Sequence, residues 1–487
     1  MRKFLPFFLS FLLISCSQDD LSPVLEEVDN TLLSVSVQDE NSVTITDLDN
    51  LVKGYNPSKS RSNSYTISTI TDKNGNPAIY VLNLDKGGWI LVSATRKYQP
   101  VIARNDEGSF NINDIMPEGL EMWRDNMIAL ISDVDNSIPQ DTIKLYQRQW
   151  ASISPSIALK SAPARPSSRV DHWTDEPVFH SDFTKEDYER LQGIMADTIA
   201  ELRGRGYTVE TFEHLSYGEL IPGYYGQQGI TINDLIQMCD GMTYIFYSEN
   251  FRFLSFAAYI TTYSEDKTEP YIKSTWDQSQ GYNSTFPTKD GKRCVVGCVP
   301  VAVGQLMRHF QHPTNYKNFQ WSAMPLTYPT ATTSDFLYDI GQAMNITLGT
   351  SISEANFDDA RDFLKKYYNF TVKKGLSNPQ VENIINGQLV YLSAKFGDSG
   401  RHSWLSGGRW INSSIEKCEI YTFTLPDEMT TCGNMQVETI LPSTRTFYMN
   451  WGWGGRYDGY FSPSGWYIPN ESSMSSDIRV MYGISKK

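Results

Sequence analysis

A proline at position 300 does most to limit what this chain can build. It follows Cys298-Val299 and precedes Val301-Ala302-Val303-Gly304-Gln305-Leu306-Met307-Arg308-His309-Phe310, where Val299, Ala302, Val303, Leu306 and Phe310 recur at the spacing of one helical face. Proline is tolerated in a helix only in the first turn, where its missing N–H leaves no bond unmade. The helix must therefore begin at Cys298, and Gly297 before it permits a tight turn and an open approach to the sulfur. Backbone N–H groups and the dipole at a helix N-terminus stabilise a thiolate, so Cys298 is a candidate nucleophile. Two other readings stay open. Free cysteines are commonly buried structural residues. Cys294, Cys298, His309 and His312 also resemble a Cys2His2 zinc set, but the spacings miss its roughly twelve and three to five intervening residues.

A nucleophilic thiol needs a base, and the chain has 6 histidines. His309 and His312 sit at the far end of the helix, about 1.5 Å further from Cys298 with each residue, and cannot reach it. His172, His180 and His214 fall in a stretch with no other chemical motif and read as surface or structural residues. His402 remains, in Phe396-Gly397-Asp398-Ser399-Gly400-Arg401-His402-Ser403-Trp404-Leu405-Ser406-Gly407-Gly408. Glycines lead in, an apolar run follows and a glycine pair closes it, so the histidine is expected to open a short strand. A third group should orient the imidazole. Asn450, in Phe447-Tyr448-Met449-Asn450-Trp451-Gly452-Trp453-Gly454-Gly455, is the best candidate, although such a Trp/Gly-rich turn also reads as a packed corner.

With 42 Lys and Arg against 56 Asp and Glu, a net charge of −14 and no basic block, the chain lacks the footprint of a nucleic-acid binder. Its 13% aromatic and 20% charged residues belong to a folded chain, and 487 residues suffice for about three domains. At the N-terminus, Arg2 and Lys3 precede an apolar run from Phe4 to Ile14 that is too short to span a bilayer as a retained helix. Leu13-Ile14-Ser15-Cys16 then resembles the bacterial lipobox, which implies cleavage before Cys16, lipid attachment to its sulfur and an outer-membrane or cell-surface location. More than one acyl chain makes such an anchor stable. Five further cysteines, Cys239, Cys294, Cys298, Cys418 and Cys432, make an odd number in an oxidising compartment, so one free thiol is expected.

The rest divides by composition. Residues 17–35 read as a tether and 36–151 as a small β-rich α+β unit, with strands either side of Lys73-Asn74-Gly75-Asn76-Pro77 and a helix from Met116 to Ile131. Residues 152–170, rich in Ser, Ala and Pro with Lys160, Arg165 and Arg169, read as a cleavable linker. Residues 171–268 hold a helix from Lys185 to Arg203 and a β-rich end from Met242 to Tyr263, with no chemical motif. Residues 269–487 carry every candidate above.

Three segments resemble, in order, the blocks of the streptopain family of bacterial papain-like cysteine peptidases: Gly297-Cys298-Val299-Pro300-Val301-Ala302 through Gln305-Leu306-Met307, Arg401-His402-Ser403-Trp404, and Asn450 to Gly455 followed by Asp458-Gly459-Tyr460-Phe461. Trp276-Asp277-Gln278-Ser279-Gln280-Gly281-Tyr282-Asn283 is similar to the block supplying the oxyanion-hole glutamine, Leu337 to Gly349 to the helix after the cysteine, and Trp89 to Phe110 to the inhibitory prodomain. The resemblance implies an α+β papain-like domain, a helix packed on an antiparallel sheet, behind a β-rich α+β prodomain. It implies a cysteine endopeptidase acting on protein or peptide substrates, with Cys298 as nucleophile, His402 as base, Gln278 as oxyanion donor, and Asn450 with Trp451 orienting and covering the histidine. No cofactor or metal is implied. The prodomain would inhibit the peptidase within one chain, held to the membrane by lipid on Cys16. A different class of reading is a non-catalytic surface lipoprotein that binds peptide or glycan on the same scaffold.

The departures concern the substrate pocket more than the dyad. Cys298 and His402 lie closer in sequence than the roughly 130–150 residues of papain, and an insertion with Cys418 and Cys432 separates His402 from Asn450. Ser406 stands where the family commonly has aspartate, and Gly281 where it commonly has proline. Lying in one insertion, Cys418 and Cys432 are expected to pair, with Cys239 to Cys294 as one guess for the other bridge and Cys298 free. Maturation is expected to cut between about Ser152 and Asp171, or near Asp266 to Thr268.

Overall fold

The hairpin expected around Asn74-Gly75 forms because Asp72 organises it. The Asp72 carboxylate accepts from the N–H groups of Asn74 and Asn76, both at 2.8 Å, and Gly75 takes a φ of 85°. A computed structural model of the chain describes residues 40–55, 64–153, 185–213, 254–376, 378–396, 400–423, 431–466 and 478–487. Cys16, the tether, nearly all of the linker, His172, His180, His214, Cys239 and residues 242–253 lie outside them.

The N-terminal region comprises α1 (Ile45–Tyr55), β1 (Tyr65–Thr71), β2 (Pro77–Leu84), β3 (Trp89–Ser93), β4 (Val101–Asn105), α2 (Glu118–Ser132), α3 (Val134–Ser137) and α4 (Gln140–Ile153). Thr44 and Asp47 cap α1 reciprocally: the Thr44 N–H donates to Asp47 Oδ2 at 2.8 Å and the Asp47 N–H to Thr44 Oγ1 at 3.3 Å. Then come α5 (Lys185–Gly204), β5 (Thr208–Glu213), β6 (Leu254–Thr268), β7 (Thr288–Lys289), β8 (Lys292–Arg293), α6 (Cys298–Phe310), α7 (Ala331–Ala343) and α8 (Phe357–Leu364). The chain ends with β9 (Tyr368–Lys374), α9 (Asn378–Ile385), β10 (Val390–Phe396), β11 (Gly400–Phe423), β12 (Thr431–Ile440), β13 (Thr444–Asn450), β14 (Gly459–Phe461) and β15 (Arg479–Lys486).

Of these strands, 13 form one sheet, ordered β1-β2-β3-β4-β14-β13-β11-β10-β15-β9, with β6 and β12 also paired to β11 and β5 to β6. The fold is the α+β class expected, and α6 packs on the sheet through Val299, Val303 and Leu306 in a core that includes Trp276, Phe336, Tyr391 and Leu405. A second core spans the two regions anticipated as separate domains. Trp89, Phe110, Leu120 and Trp123 pack there with Trp404, Phe447, Trp451 and Phe461. Fully burying each such side chain is worth about 1.5–3 kcal/mol, so this shared core dominates the docking of the N-terminal region. Strand pairing of β4 with β14, Tyr460 opposite Arg104, then closes the seam.

Four expectations change. First, β11 does not stop at Gly407-Gly408. A register shift between Ser406 and Arg409 absorbs the glycines, with Gly408 at φ 120°, and the strand runs 24 residues. Second, β6 pairs with β11 along its length, Thr268 opposite Arg409, so Asp266 to Thr268 is hydrogen-bonded strand and a poor proteolytic site. Third, Cys418 lies opposite Val437, whereas Cys432 lies opposite Thr422. Four residues of strand, about 13 Å, therefore separate the expected partners, beyond the roughly 7 Å that a disulfide spans between Cα atoms. Cys294 is buried and free, so the guessed bridge to Cys239 is not made either. Fourth, the helix expected from Leu337 to Gly349 is α7, begun earlier because Thr330 caps it by accepting from Thr333 N–H.

Gly459 sits at the seam, where a Cβ would meet the Trp89 ring at 2.8 Å and Arg104 O at 2.9 Å. Gly459→Ala is expected to cost about 1–3 kcal/mol by overpacking, read as a lower melting temperature of the full chain and faster proteolysis of the N-terminal region. An unchanged melt would show that the seam yields freely.

Candidate active site

Cys298 begins α6 as Pro300 requires, and the turn before it depends on glycine. Gly297 has a φ of 87°, and a Cβ there would lie 2.5 Å from Ser353 O. Ser353 holds that approach from the other side: its Oγ donates to Val295 O at 2.6 Å and accepts from Gly349 N–H at 3.0 Å. The thiol is free and half-buried, and lies 3.9 Å from Arg401 O. The helix thus presents a sulfur at its positive end, beside the strand that carries His402.

His402 is buried, its ring stacked at 6.0 Å on Trp404, which in turn packs at 5.5 Å on Trp451. Nδ1 is 3.1 Å from Glu118 Oε2, at the first residue of α2. Nε2 makes no hydrogen bond of normal geometry to a described residue, yet the Cys298 sulfur is near enough to act on the ring electrostatically. Burial alone would lower the imidazole pKa, but the negative charge available on Cys298, and then Glu118, outweigh it and raise it to about 9. In return the hydrogen bond from His402 holds the Glu118 carboxyl below its ordinary 4.5, against the opposing effect of burial. The prime consequence is a charged imidazole inside an apolar wall.

The other candidates lie around this pair. Gln278 is half-buried, and its carbonyl accepts from Val296 N–H at 2.8 Å, which ties its segment to the turn leading into Cys298. Gly281 has a φ of 90°, a conformation closed to the proline common in the resembling family. Asn450 does not bond to His402 here. Its Oδ1 accepts from Gln305 Nε2 at 2.8 Å and Gly452 N–H at 3.2 Å, and its Nδ2 donates to Ser274 O at 2.8 Å, while Glu118 takes the imidazole Nδ1. Trp451 does lie against the histidine wall, since a Cβ on Gly119 would meet both the His402 ring at 2.8 Å and the Trp451 ring at 2.9 Å. Among the described residues no group of three or more His, Cys, Asp or Glu could hold a metal ion, so the Cys294, Cys298, His309 and His312 set is not assembled.

Three residues of the site were given no role by the sequence, although Gln305 and Asp458 fall within its family-like blocks. Glu118 is 284 residues from His402 in the chain and follows Pro117 at the start of a helix, a common place for an acidic residue whatever its partner. Gln305 is a polar residue on the buried part of α6. Its place two turns from Cys298, inside an apolar stripe, was a readable signal. Asp458 is buried, its Oδ1 accepting from Trp451 N–H at 2.9 Å, and burial raises its carboxyl to about 7. It fixes the backbone that carries the Trp451 ring.

Residues 276–461 match the Peptidase C10 family, and residues 48–129 match the family described as Spi protease inhibitor. No curated protein matches the chain. Among solved structures, a fragment of prointerpain A from Prevotella intermedia is 11% identical, with a TM-score of 0.43 over 87% of this chain and 100% of that one. Active interpain A from the same organism is 16% identical, with a TM-score of 0.32 over 45% of this chain and 96% of that one. By its two family matches the chain carries a cysteine peptidase region of the Peptidase C10 family, with a Spi-type inhibitor region ahead of it.

Proposed function

We propose that the chain is a latent, lipid-anchored thiol endopeptidase in which Cys298 is the nucleophile and His402 the base. The observation that carries this is the thiol at the start of α6 beside a buried imidazole whose other nitrogen is held by Glu118 of the inhibitor region. In the reaction, the Cys298 thiolate attacks the scissile carbonyl carbon, and the oxygen takes the negative charge. The side-chain amide of Gln278 and the Cys298 backbone N–H donate to that oxyanion. As the C–N bond breaks, His402 passes its proton to the leaving amine, then takes one from the water that hydrolyses the thioester. Trp451 keeps water from the imidazole, and Asn450 becomes its orienting partner once Glu118 withdraws. The lipobox supports anchoring through Cys16 at the bacterial surface.

Latency follows from the same pair. With Nδ1 held by the Glu118 carboxylate, the imidazole is tied to the inhibitor region rather than to a partner in the peptidase region, and α2 covers the ring through Gly119. The His402 contribution is fully present below its ordinary 6.5 and is lost as pH rises through about 9. The Glu118 contribution is present above 4.5 and is lost as pH falls through its lowered value. The latch is therefore strongest between 4.5 and 6.5.

Cys298→Ala is expected to fold and to abolish peptide hydrolysis, while Gln278→Ala keeps a thiol that alkylates but loses roughly 10²–10³ in turnover. Hydrolysis at the parental rate by Cys298→Ala would end the thiol-peptidase reading. His402→Ala should lose both turnover and fast alkylation. Incubated precursor should be cut between about Ser152 and Asp171, which N-terminal sequencing of the products checks; full activity in the uncut chain would contradict latency. Glu118→Gln should speed maturation about fivefold near pH 6, because a half-exposed ion pair is worth on the order of 1 kcal/mol. That difference should vanish above about pH 9, where the imidazole is neutral in both chains.

A further inference from the structure

Gln305 is completely buried two turns along α6 from Cys298. Its Oε1 accepts from the backbone N–H of Trp276 at 3.1 Å, and its Nε2 donates to Asn450 Oδ1 at 2.8 Å. Burying an amide is costly unless its polar atoms are bonded, and here the two ends reach two different segments. One segment leads through Asp277 to Gln278; the other is the turn that carries Asn450 and Trp451. Gly304, the preceding helical residue, lets Trp276 come close, for a Cβ there would lie 3.1 Å from its ring. The two segments are also bonded to each other, Gly454 N–H to Trp276 O at 3.1 Å. The segment bearing Gln278 is thus pinned at Trp276 by Gln305 and at Gln278 by Val296 N–H, both pins belonging to the stretch of chain that carries Cys298.

We propose that Gln305 is a positioning residue for the peptidase reaction, which sets the Gln278 amide and the Asn450-Trp451 turn in register with the Cys298 sulfur. The proposal rests on the reading of Cys298 as nucleophile and Gln278 as oxyanion donor. An oxyanion donor works only within a few tenths of an ångström of its place, so the group that fixes its backbone governs turnover without touching substrate. An apolar side chain of equal length would leave Trp276 N–H unpaired in the core and Asn450 Oδ1 with only its longer bond from Gly452 N–H. Both segments would then shift to recover partners, while the sulfur at the helix start would stay where Gly297 and Ser353 hold it.

The test compares enzymes matured from the full-length chains. Gln305→Met is expected to lower kcat about 10–100-fold, leave KM within about threefold, and leave alkylation of Cys298 by iodoacetamide within about twofold of the parent. In a Gln278→Ala background the same substitution should cost less than about threefold, because the donor it positions is already gone. Parental kcat, equal losses in both backgrounds, or alkylation falling in step with kcat would overturn the proposal. Gln305→Glu gives a second reading that does not depend on Gln305→Met folding. It keeps the acceptor for Trp276 N–H, but only a protonated carboxyl can donate to Asn450 Oδ1, so its activity relative to the parent should recover as pH falls. A pH profile parallel to the parent's would overturn the proposal. A parent chain whose turnover survives Cys298→Ala removes the nucleophile reading, and this proposal with it, a result visible without any Gln305 variant.

Discussion

Where Gly297 meets Ser353, the backbone comes closer than any side chain allows, and the placement of the thiol depends on that contact. A Cβ at 297 would lie 2.5 Å from Ser353 O, so the turn exists only with glycine and only while Ser353 is held by its bonds to Val295 and Gly349. Pro300 then commits the next turn to helix, and α6 runs into the core on Val299, Val303 and Leu306. The sulfur is consequently placed by backbone on one side and by core packing on the other. Neither support involves a charged group, so the position of the sulfur is insulated from the titrations around it.

The imidazole is supported differently. His402 stacks on Trp404, which packs on Trp451 in a core shared with Leu120 and Trp123 of the inhibitor region. Removing α2 takes away both Glu118 and part of the apolar cover, so one event frees Nδ1 and uncovers the ring. The cover is also tied to the turn that follows Trp451: Asn105 Nδ2 donates to Asp458 O at 2.8 Å, Tyr457 OH to Asn111 O at 3.0 Å, and Trp123 Nε1 to Ser462 O at 2.8 Å. The inhibitor region therefore grips the elements flanking His402 and leaves the thiol half-exposed.

Local chemistry made the centre of the site legible and distance hid the rest. Pro300 and the apolar stripe placed Cys298 at a helix start, and reach excluded His309 and His312 while the lack of any motif set aside His172, His180 and His214, because these deductions need only a few consecutive residues. The Asn74-Gly75 hairpin and the helix from Lys185 were readable for the same reason. Strand pairing is not local, so nothing in the text showed that β4 would join β14, or that β11 would continue through Gly407-Gly408 to meet β6. The Cys418 to Cys432 pairing failed on register, which sequence proximity does not specify. Glu118 was invisible because its meaning depends on a partner brought in by tertiary folding.

Weights of the docking contacts decide how latency can end. The Glu118 to His402 pair is worth on the order of 1 kcal/mol, since half of the carboxylate side chain faces solvent. Burial of Trp89, Phe110, Leu120 and Trp123 in the shared core is worth several times that, and the β4 to β14 ladder adds to it. Neither acid alone nor a single cut after α4 breaks these apolar contacts. Full activity therefore demands that the inhibitor region leave as a unit, through unfolding or further digestion, and the ion pair sets the rate of the first opening rather than the strength of the whole.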